Sequence, residues 1–515
     1  MSNVLDELVE GFEPSPQLVS VMASSKAAVL LALDIGTSGV RAALFDEHGS
    51  EIKGASIRIS RWNVGVSGFA TIDPDALVEE VAQAIDALFE KLYDPEIHIQ
   101  FIAVSCFWHS LVGVDPRGTP TTTVFGWADR SAAGAAYELR SQFDEHVIHA
   151  RTGCRFHPSY WPAKLLRLRN EEPDIFRLTT RWLSFADYLS LRLCGAAPTS
   201  VSMASGSGLL NQHTCEWDLE LVEALRINAE TLPAIAETDE TIDRIADTYR
   251  NRWPQLSDAR FYPAIGDGAA NNIGAACCSK EKMALMVGTS GAMRIILNDS
   301  PPPELPPELW CYRVDRNRVI VGGALSDGGG LHNWIKESML VDYDLATIEN
   351  RLARLAPDEH NLTILPFFTG ERSTGWHPNA FGSIVGLTLE TAPIEILRAA
   401  MEAIAYRFAL IARALDPFAH NVAIAASGHA LRCSPTWVQI LADVLGKPLA
   451  ISDLPEASTR GAALLALEAA GKIRSIDEFT VPVQQTYQPD MSRHELYQKG
   501  LERQEALYKK VFAEN

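Results

Sequence analysis

Three short stretches place carboxylate, hydroxyl and guanidinium groups where anion chemistry needs them. The first is Asp34-Ile35-Gly36-Thr37-Ser38-Gly39-Val40-Arg41, entered from the apolar run 28–33 and left through "VRAALFD". The second repeats the word as Gly288-Thr289-Ser290-Gly291, between "ALMV" and "AMRIIL". The third is Gly266-Asp267-Gly268, inside "FYPAIGDGAANNIGAAC". Glycines and small hydroxyl residues at a hairpin tip let backbone N–H groups and hydroxyls approach an anion closely. Two such tips from facing domains would grip one polyphosphate from both sides. Asp34 ends its strand just before the first tip, where a carboxylate can hold Mg2+ through water. Arg41 adds a planar cationic fork for phosphoryl oxygens. Each stretch also has a plainer meaning. Gly-Thr-Ser-Gly alone is a tight turn, and Asp267 alone is as well a turn residue or the cap of a following helix. The repetition and the preceding Asp favour the anion site.

These groups need strands that end at one edge. Residues 28–33 predict a buried strand, and "VRAALFD" a second, which makes the first tip a hairpin and not a strand-to-helix phosphate loop. Helical spacing over 76–92 follows the start signal Asp73-Pro74. "IQFIAVSCF" (99–107) predicts a buried strand delivering Trp108-His109, and "SLVGVDPRGTP" a strand and turn. Residues 130–250 read as mostly helical with short loops. The pattern restarts with "MALMVGTSG" and "MRIILND", and "VIVGGALSDGGG" opens a helix at "LHNWIKESM". Further helices are expected over 394–415, 434–445 and 460–471, the last stopped by Gly471. Each half therefore opens strand, Gly-Thr-Ser-Gly, strand. The expectation is a duplicated α/β domain: a short extension (1–25), a first domain (26–276) and a second (277–515).

Bulk properties agree with two domains. The chain has 515 residues, 47% hydrophobic and 21% charged, and single cores stop growing near roughly 250–300 residues. A formal charge of −20 repels nucleic acid and anionic membrane, so neither is an expected partner, and an anion site must be built locally. Eight cysteines without a Cys-x-x-Cys pair suit reduced thiols in the cytoplasm. The acidic start "MSNVLDELVEGFEPSPQ" is unlike a signal peptide, and no apolar run reaches membrane-spanning length. "RSAAGAAYELR" and "RHELYQKGLERQEALYKK" read as solvated helical faces, Cys277-Cys278 as buried near the junction, and 300–307 as a stiff surface loop.

Asp34-x-Gly36-Thr37-x-x-x-Arg41 resembles the first phosphate motif of the FGGY carbohydrate kinases, a family with the actin-like, ribonuclease H-like ATPase fold in two duplicated domains facing a central cleft. Further matches follow in the family's order: "GDGAANNIGAAC" (266–277), "VGTSGAMRI" (287–295), "GERSTGWHPNAFGSIVGLT" (370–388), and "SPTWVQILADVLGKPL…EASTRGAALLAL" (434–467). The resemblance implies ATP and Mg2+, with Asp34 organising the metal. It implies phosphate contacts from Gly36, Thr37, Ser38, Arg41, Gly288 and Thr289, and adenosine contacts from Gly329, Asn333 and Gly428. His429 stands where the family usually has a second glycine. Asp267 is implied as the general base toward a sugar hydroxyl, and Trp108, His109 and Asp129 as sugar contacts. For a His beside a Trp, a satisfied structural hydrogen bond is otherwise the commoner explanation.

"WADRS" (127–131) and "RTGCRFHPSYWPAKLLRL" (151–168) look most like the gluconokinase branch, through Thr152, Gly153, His157, Pro158, Ala163 and Lys164. This chain lacks that branch's Asn between Asp129 and Arg130, and it carries Tyr160-Trp161 where smaller residues are usual. The implied reaction moves the γ-phosphoryl of ATP to a primary hydroxyl of an acyclic sugar acid, sugar or polyol. D-Gluconate is the first choice and a ketopentose such as D-xylulose the second. An ATPase of the same superfold without a sugar substrate, or a sugar sensor, are the rival classes. A homodimer is an assembly left open.

Overall fold

The computed structural model describes residues 28–60, 71–92, 97–377, 379–419, 422–452 and 456–512. The expected 1–25 extension lies outside the described residues. Strand β1 (Ala28–Gly36) turns through Thr37-Ser38 into antiparallel β2 (Gly39–Asp46), with Gly36 opposite Gly39. Gly39 has φ +146°, and a Cβ there would fall 2.0 Å from the Ile59 carbonyl oxygen, so the tip needs glycine. β3 (Glu51–Ser60) runs antiparallel to β2. α1 (Pro74–Leu92) buries Leu77, Val81, Ile85 and Leu88 at helical spacing, and Asp73 caps it by accepting from the Ala76 amide at 2.9 Å.

β4 (Phe101–Cys106) lies parallel to β1, and β5 (Arg260–Phe261) and β6 (Ile265–Gly266) lie parallel to β4. All of β4 is buried, as its near-continuous apolar sequence, broken only by Ser105, suits a strand covered on both faces. The second sheet comprises β7 (Lys282–Val287), β8 (Gly291–Leu297), β9 (Trp310–Arg313), β10 (Val319–Leu325), β11 (Ala423–Ser427), β12 (Leu449–Ser452) and β13 (Val483–Tyr487). Its order is β9–β10–β8–β7–β11–β12–β13. Within it, β10–β8–β7–β11–β12 repeats the pairing of β3–β2–β1–β4–β5: two antiparallel steps, then two parallel ones.

The helices that bear on the cleft are α2 (Trp161–Glu171), α3 (Asp267–Gly274), α4 (Gly329–Met339), α5 (Pro393–Leu415), α6 (Pro435–Leu445), α7 (Ala457–Ala469) and α8 (Met491–Val511). α7 comes late in the chain but packs on the first sheet. Its Ala462, Ala463, Ala466 and Leu467 share a core with Leu30, Ala32, Phe45 and Ala103. α3 and α7 meet backbone to backbone. A Cβ on Gly461 would lie 1.8 Å from the Ala270 carbonyl oxygen, and one on Gly274 1.7 Å from that of Ala457.

Two expectations change. The 130–194 segment is mostly helical as predicted, interrupted by the strand Arg181–Leu183, but beyond Gly195 short helices alternate with short ladders, Thr199–Ser200 with Ile235–Ala236 and Leu210–Asn211 with Glu216–Trp217. Two-residue strands carry no period to read. α8, expected to be solvated, buries Tyr497, Gly500, Leu501 and Gln504; only Tyr497 and Leu501 are large hydrophobic residues there, and the glycine and amide between and beside them hide the stripe in the sequence. Cys277 and Cys278 are buried. Among the described residues no helix is long and apolar enough to cross a membrane.

The helix crossing predicts that Gly461→Ala is destabilising by about 1–3 kcal/mol, the usual effect of overpacking. Gly134→Ala, at an open helical site with nothing within 4 Å, should be neutral or stabilising by up to about 1 kcal/mol. Urea midpoints of the two variants decide it; equal midpoints would mean that the close crossing carries no strain.

Candidate active site

The register of the first sheet builds the site. Asp34 near the end of β1 faces Arg41 on β2 and Ser105 on β4. Arg41 Nη1 donates to Asp34 Oδ2 at 2.8 Å, and Ser105 Oγ donates to Oδ1 at 2.8 Å. Arg41 Nε also stands 2.6 Å from Glu456 Oε2, the residue that begins α7. One guanidinium is thus held between two carboxylates from opposite ends of the chain. Burial raises the Glu456 carboxyl pKa and the Asp34 charge adds to this, with Arg41 opposing. At the tip itself Thr37 is half-buried and Ser38 exposed.

The second tip is stapled to α4. The amides of Gly328 and Gly330 donate to the Thr289 carbonyl at 3.0 and 2.9 Å, and that of Gly329 to the Gly288 carbonyl at 2.7 Å. Gly428 closes the same corner with φ +109°, where a Cβ would fall 2.2 Å from the Val287 carbonyl oxygen. Residues 288–289, 328–330 and 428–430 therefore converge past the ends of β7 and β11. Thr289, Asn333 and His429 are exposed there, and the His429 ring lies along its own short helix, 3.5 Å from Cys433 Sγ.

Asp267 opens α3 directly after β6, whose Gly266 pairs with Cys106 at the end of β4. Its Oδ1 accepts from the Gly268 amide at 2.9 Å. Burial raises its pKa, Arg294 opposes that rise, and the like charge of Asp34 adds to it. Asp34 and Asp267 thus act on one another across the cleft floor as hard oxygen donors, the donor chemistry Mg2+ takes; the residues fit that ion.

The other wall follows β4. Trp108 is only 5% exposed; its Nε1 donates to the Ser202 carbonyl at 3.0 Å. The ring fills the space beside Gly206, Gly266 and Gly268, where added Cβ atoms would sit 2.4, 1.8 and 2.5 Å from it. It is therefore a wedge under the Asp267 backbone. His109 takes a left-handed φ of 70°. Its Nδ1 lies 2.5 Å from the Gly206 carbonyl and its Nε2 3.0 Å from Arg372 Nη2. A carbonyl can only accept and a guanidinium only donate, so Nδ1 carries the proton and Nε2 accepts. Burial, reinforced by Arg372, pushes the imidazole pKa well down.

Tyr160 and Tyr312, from the two halves, flank His109 edge-on at 5.0 and 5.6 Å and share a 2.6 Å hydrogen bond between their hydroxyls. Trp161 turns away, donating to the Ser110 carbonyl at 2.8 Å and stacking on Trp217; of the two bulky departures, only Tyr160 reaches the site. Lys164, on α2, buries its ammonium against the carbonyls of His109 (2.7 Å), Gly126 (2.9 Å) and Phe125 (3.3 Å). Burial lowers its pKa to about 7, against the pull of Asp129. Asp129 accepts from the amide and hydroxyl of Ser131, both at 2.9 Å. Thr37 and Trp127 line one small cavity, so the first tip and this wall adjoin.

Sequence reasoning did not single out Ser105, Arg294, Tyr312, Arg372 or Glu456. Arg294 follows the second tip on β8 and Arg372 sits inside the 370–388 stretch, but neither position reveals that its charge acts on Asp267.

Paired sheets of this order, each bringing a Gly-Thr-Ser-Gly hairpin to one cleft, define a phosphotransferase of the actin-like ATPase fold. Residues 29–274 match the N-terminal domain and residues 283–470 the C-terminal domain of the FGGY family of carbohydrate kinases. The chain belongs to this family and is an ATP-dependent carbohydrate kinase. It is 27% identical to the gluconokinase of Bacillus subtilis (strain 168) over 473 residues, covering 89% of this chain and 91% of the relative. The solved gluconate kinase of Lactobacillus acidophilus superposes with a TM-score of 0.85 at 28% identity, over 94% of this chain and 98% of that one. The xylulose kinase of the same organism gives 0.84 at 28%, with the same coverage.

The tyrosine pair gives a test of the wall. Tyr160→Phe leaves the buried Tyr312 hydroxyl without its partner and should cost about 1–3 kcal/mol. Tyr160→Phe/Tyr312→Phe should recover part of that loss in urea unfolding. A double variant no more stable than the single one would mean that the hydroxyls do not depend on each other.

Proposed function

We propose that this kinase transfers the γ-phosphoryl of ATP to the terminal hydroxyl of an acyclic sugar acid, with D-gluconate as the substrate. One observation carries the chemistry: Asp267 stands at a helix start, raised in pKa, between the Asp34–Arg41 edge and the His109 wall. A carboxylate with a raised pKa is a better proton acceptor once deprotonated. Asp267 takes the proton of the acceptor hydroxyl as its oxygen bonds to the γ-phosphorus and the bond to the departing ADP oxygen breaks. Asp34, with Asp267 beside it, would hold Mg2+, which would supply neutralisation of charge on the phosphate oxygens.

Gly36, Thr37, Ser38 and Arg41 meet the phosphates from one side and Gly288 and Thr289 from the other. Gly329, Asn333, Gly428 and His429 form the adenosine wall. Trp108 supports the floor, while His109 and Asp129 order the acceptor side. The sugar acid is favoured by the "WADRS" and 151–168 stretches and by the gluconokinase relatives. A ketopentose such as D-xylulose is the second reading, supported by the near-equal match to the xylulose kinase structure. The reaction belongs in the cytoplasm, where ATP and reduced thiols coexist.

ADP release should be strongly stimulated by D-gluconate, and not by D-xylulose, D-ribulose, glycerol or erythritol. Stimulation by D-xylulose alone would move the substrate to the second reading, and sugar-independent hydrolysis would remove the kinase assignment. Asp267→Asn should lower kcat by about 10²–10⁴-fold with ATP binding retained; wild-type turnover would exclude Asp267 as the base. The base acts only when deprotonated, so kcat/KM should fall as pH drops through its raised pKa. That acid limb should lie above the ordinary Asp value of about 3.9 and should vanish from the residual activity of Asp267→Asn.

A further inference from the structure

Among the buried cations of the cleft one, Arg372, has a single hydrogen-bond partner. Lys164 has three carbonyls and Arg294 the Gly268 carbonyl and Asn272 Oδ1, although neither has a carboxylate within ion-pair distance among the described residues. Arg41 has Asp34 and Glu456, and Arg294, 7% exposed, is the leading positive charge acting on Asp267. Deeper in the second half, Arg398 meets Glu402 at 2.7 Å and Arg407 meets Glu371 at 2.7 Å. Arg372 is buried to 9% exposure and, among the described residues, has no carboxylate within ion-pair distance. Its sequence neighbour Glu371 is fully used, accepting from Arg407, from the Tyr508 hydroxyl at 2.6 Å and from the Gly375 and His377 amides at 3.1 and 3.3 Å. Asp129 on the adjacent loop is held by Ser131.

Arg372 has neutral direct contacts, and its charge reaches Asp267 only beyond ion-pair distance. It donates to His109 Nε2 at 3.0 Å and lays its guanidinium 5.6 Å over the Trp127 ring, and its Nε is buried without a hydrogen-bond partner. His109 cannot supply countercharge, since its other nitrogen is committed to the Gly206 carbonyl. A guanidinium stays protonated at any physiological pH. Burying one without an anion or a full set of acceptors is strongly unfavourable, unless a ligand supplies the missing group.

We propose that Arg372 is the anchor for the carboxylate of the acceptor, with His109 as the residue that orients it. This rests on the reading of the chain as a kinase of sugar acids and adds which residue makes the acid preferred over a neutral polyol. Anionic oxygens could also come from the nucleotide. The acceptor is favoured because both partners of Arg372, His109 and Trp127, belong to the wall opposite the second tip and the adenosine corner.

The test compares D-gluconate with D-gluconamide, which replaces the carboxylate by a neutral amide on the same carbon chain. For the wild-type chain, KM should be about 10–100-fold higher for the amide, the span of a lost charge-assisted pair, with kcat changed much less. Arg372→Met should raise KM for gluconate to that of the amide measured on the same variant, change that of ATP far less, and so erase the discrimination. Arg372→Lys should restore part of it. Equal KM values for the two compounds on the wild-type chain would overturn the proposal without any variant. A rise confined to the KM of ATP in Arg372→Met would reassign the residue to the phosphates. If no acceptor in the panel is turned over, the kinase reading has failed separately. Calorimetric binding of gluconate without nucleotide then decides Arg372: binding abolished in Arg372→Met sustains the anchor, and no binding by the wild-type chain removes it.

Discussion

Helices α3 and α7 touch through bare backbone, and the cleft is arranged around that contact. Gly274 and Gly461 let each helix lie against the other's carbonyls at distances that a single Cβ would forbid. Asp267 begins one of these helices and Glu456 directly precedes the other. Their crossing therefore sets the spacing between Asp267 and the Arg41–Glu456 pair. Through Arg41 it also sets Asp34, which Ser105 fixes from the other side. Four ionised groups from residues 34 to 456 thus acquire one geometry from two glycines.

The acceptor wall is held by a different device. Its ionisable groups are buried, so each must be neutral or closely partnered. His109 is kept neutral between a carbonyl and a guanidinium, Lys164 spends its ammonium on three carbonyls, and the Tyr160–Tyr312 bond crosses between the halves. His157 bridges the halves as well, from Ser159 Oγ at 3.0 Å to the Glu371 carbonyl at 2.9 Å. Such a wall has few ways to rearrange, which suits selection by shape and charge.

Much of this was legible in the chain. The two tips, their flanking strands, α1 and the glycine-flanked Asp267 all announce themselves through local pattern, because a hairpin tip or an amphipathic helix is specified by residues close in sequence. The partners were not. Arg41 looked like a free phosphate ligand, yet register places Asp34 opposite it and the fold brings Glu456 to its other side. Tyr160 and Trp161 are adjacent and equally bulky, and only the start of α2 decides that one faces His109 and the other Trp217. Arg372 sits among recognisable residues, but its lack of a counter-ion is a property of everything packed around it. Long-range pairing of this kind has no local signal.

The position of α7 also bears on how the molecule comes to exist. The first sheet is covered on one side by α1, the helix that follows β3 in the chain. Its other side is closed by residues 457–469, more than three hundred residues beyond β4. Chains emerge from the ribosome at about 5–20 residues per second, so the first lobe must wait tens of seconds with Leu30, Ala32, Phe45 and Ala103 uncovered. Contacts of such sequence separation are slow to form. The half of the protein that is made first is closed only when the chain is nearly complete, and during synthesis its apolar face is the surface a chaperone would meet.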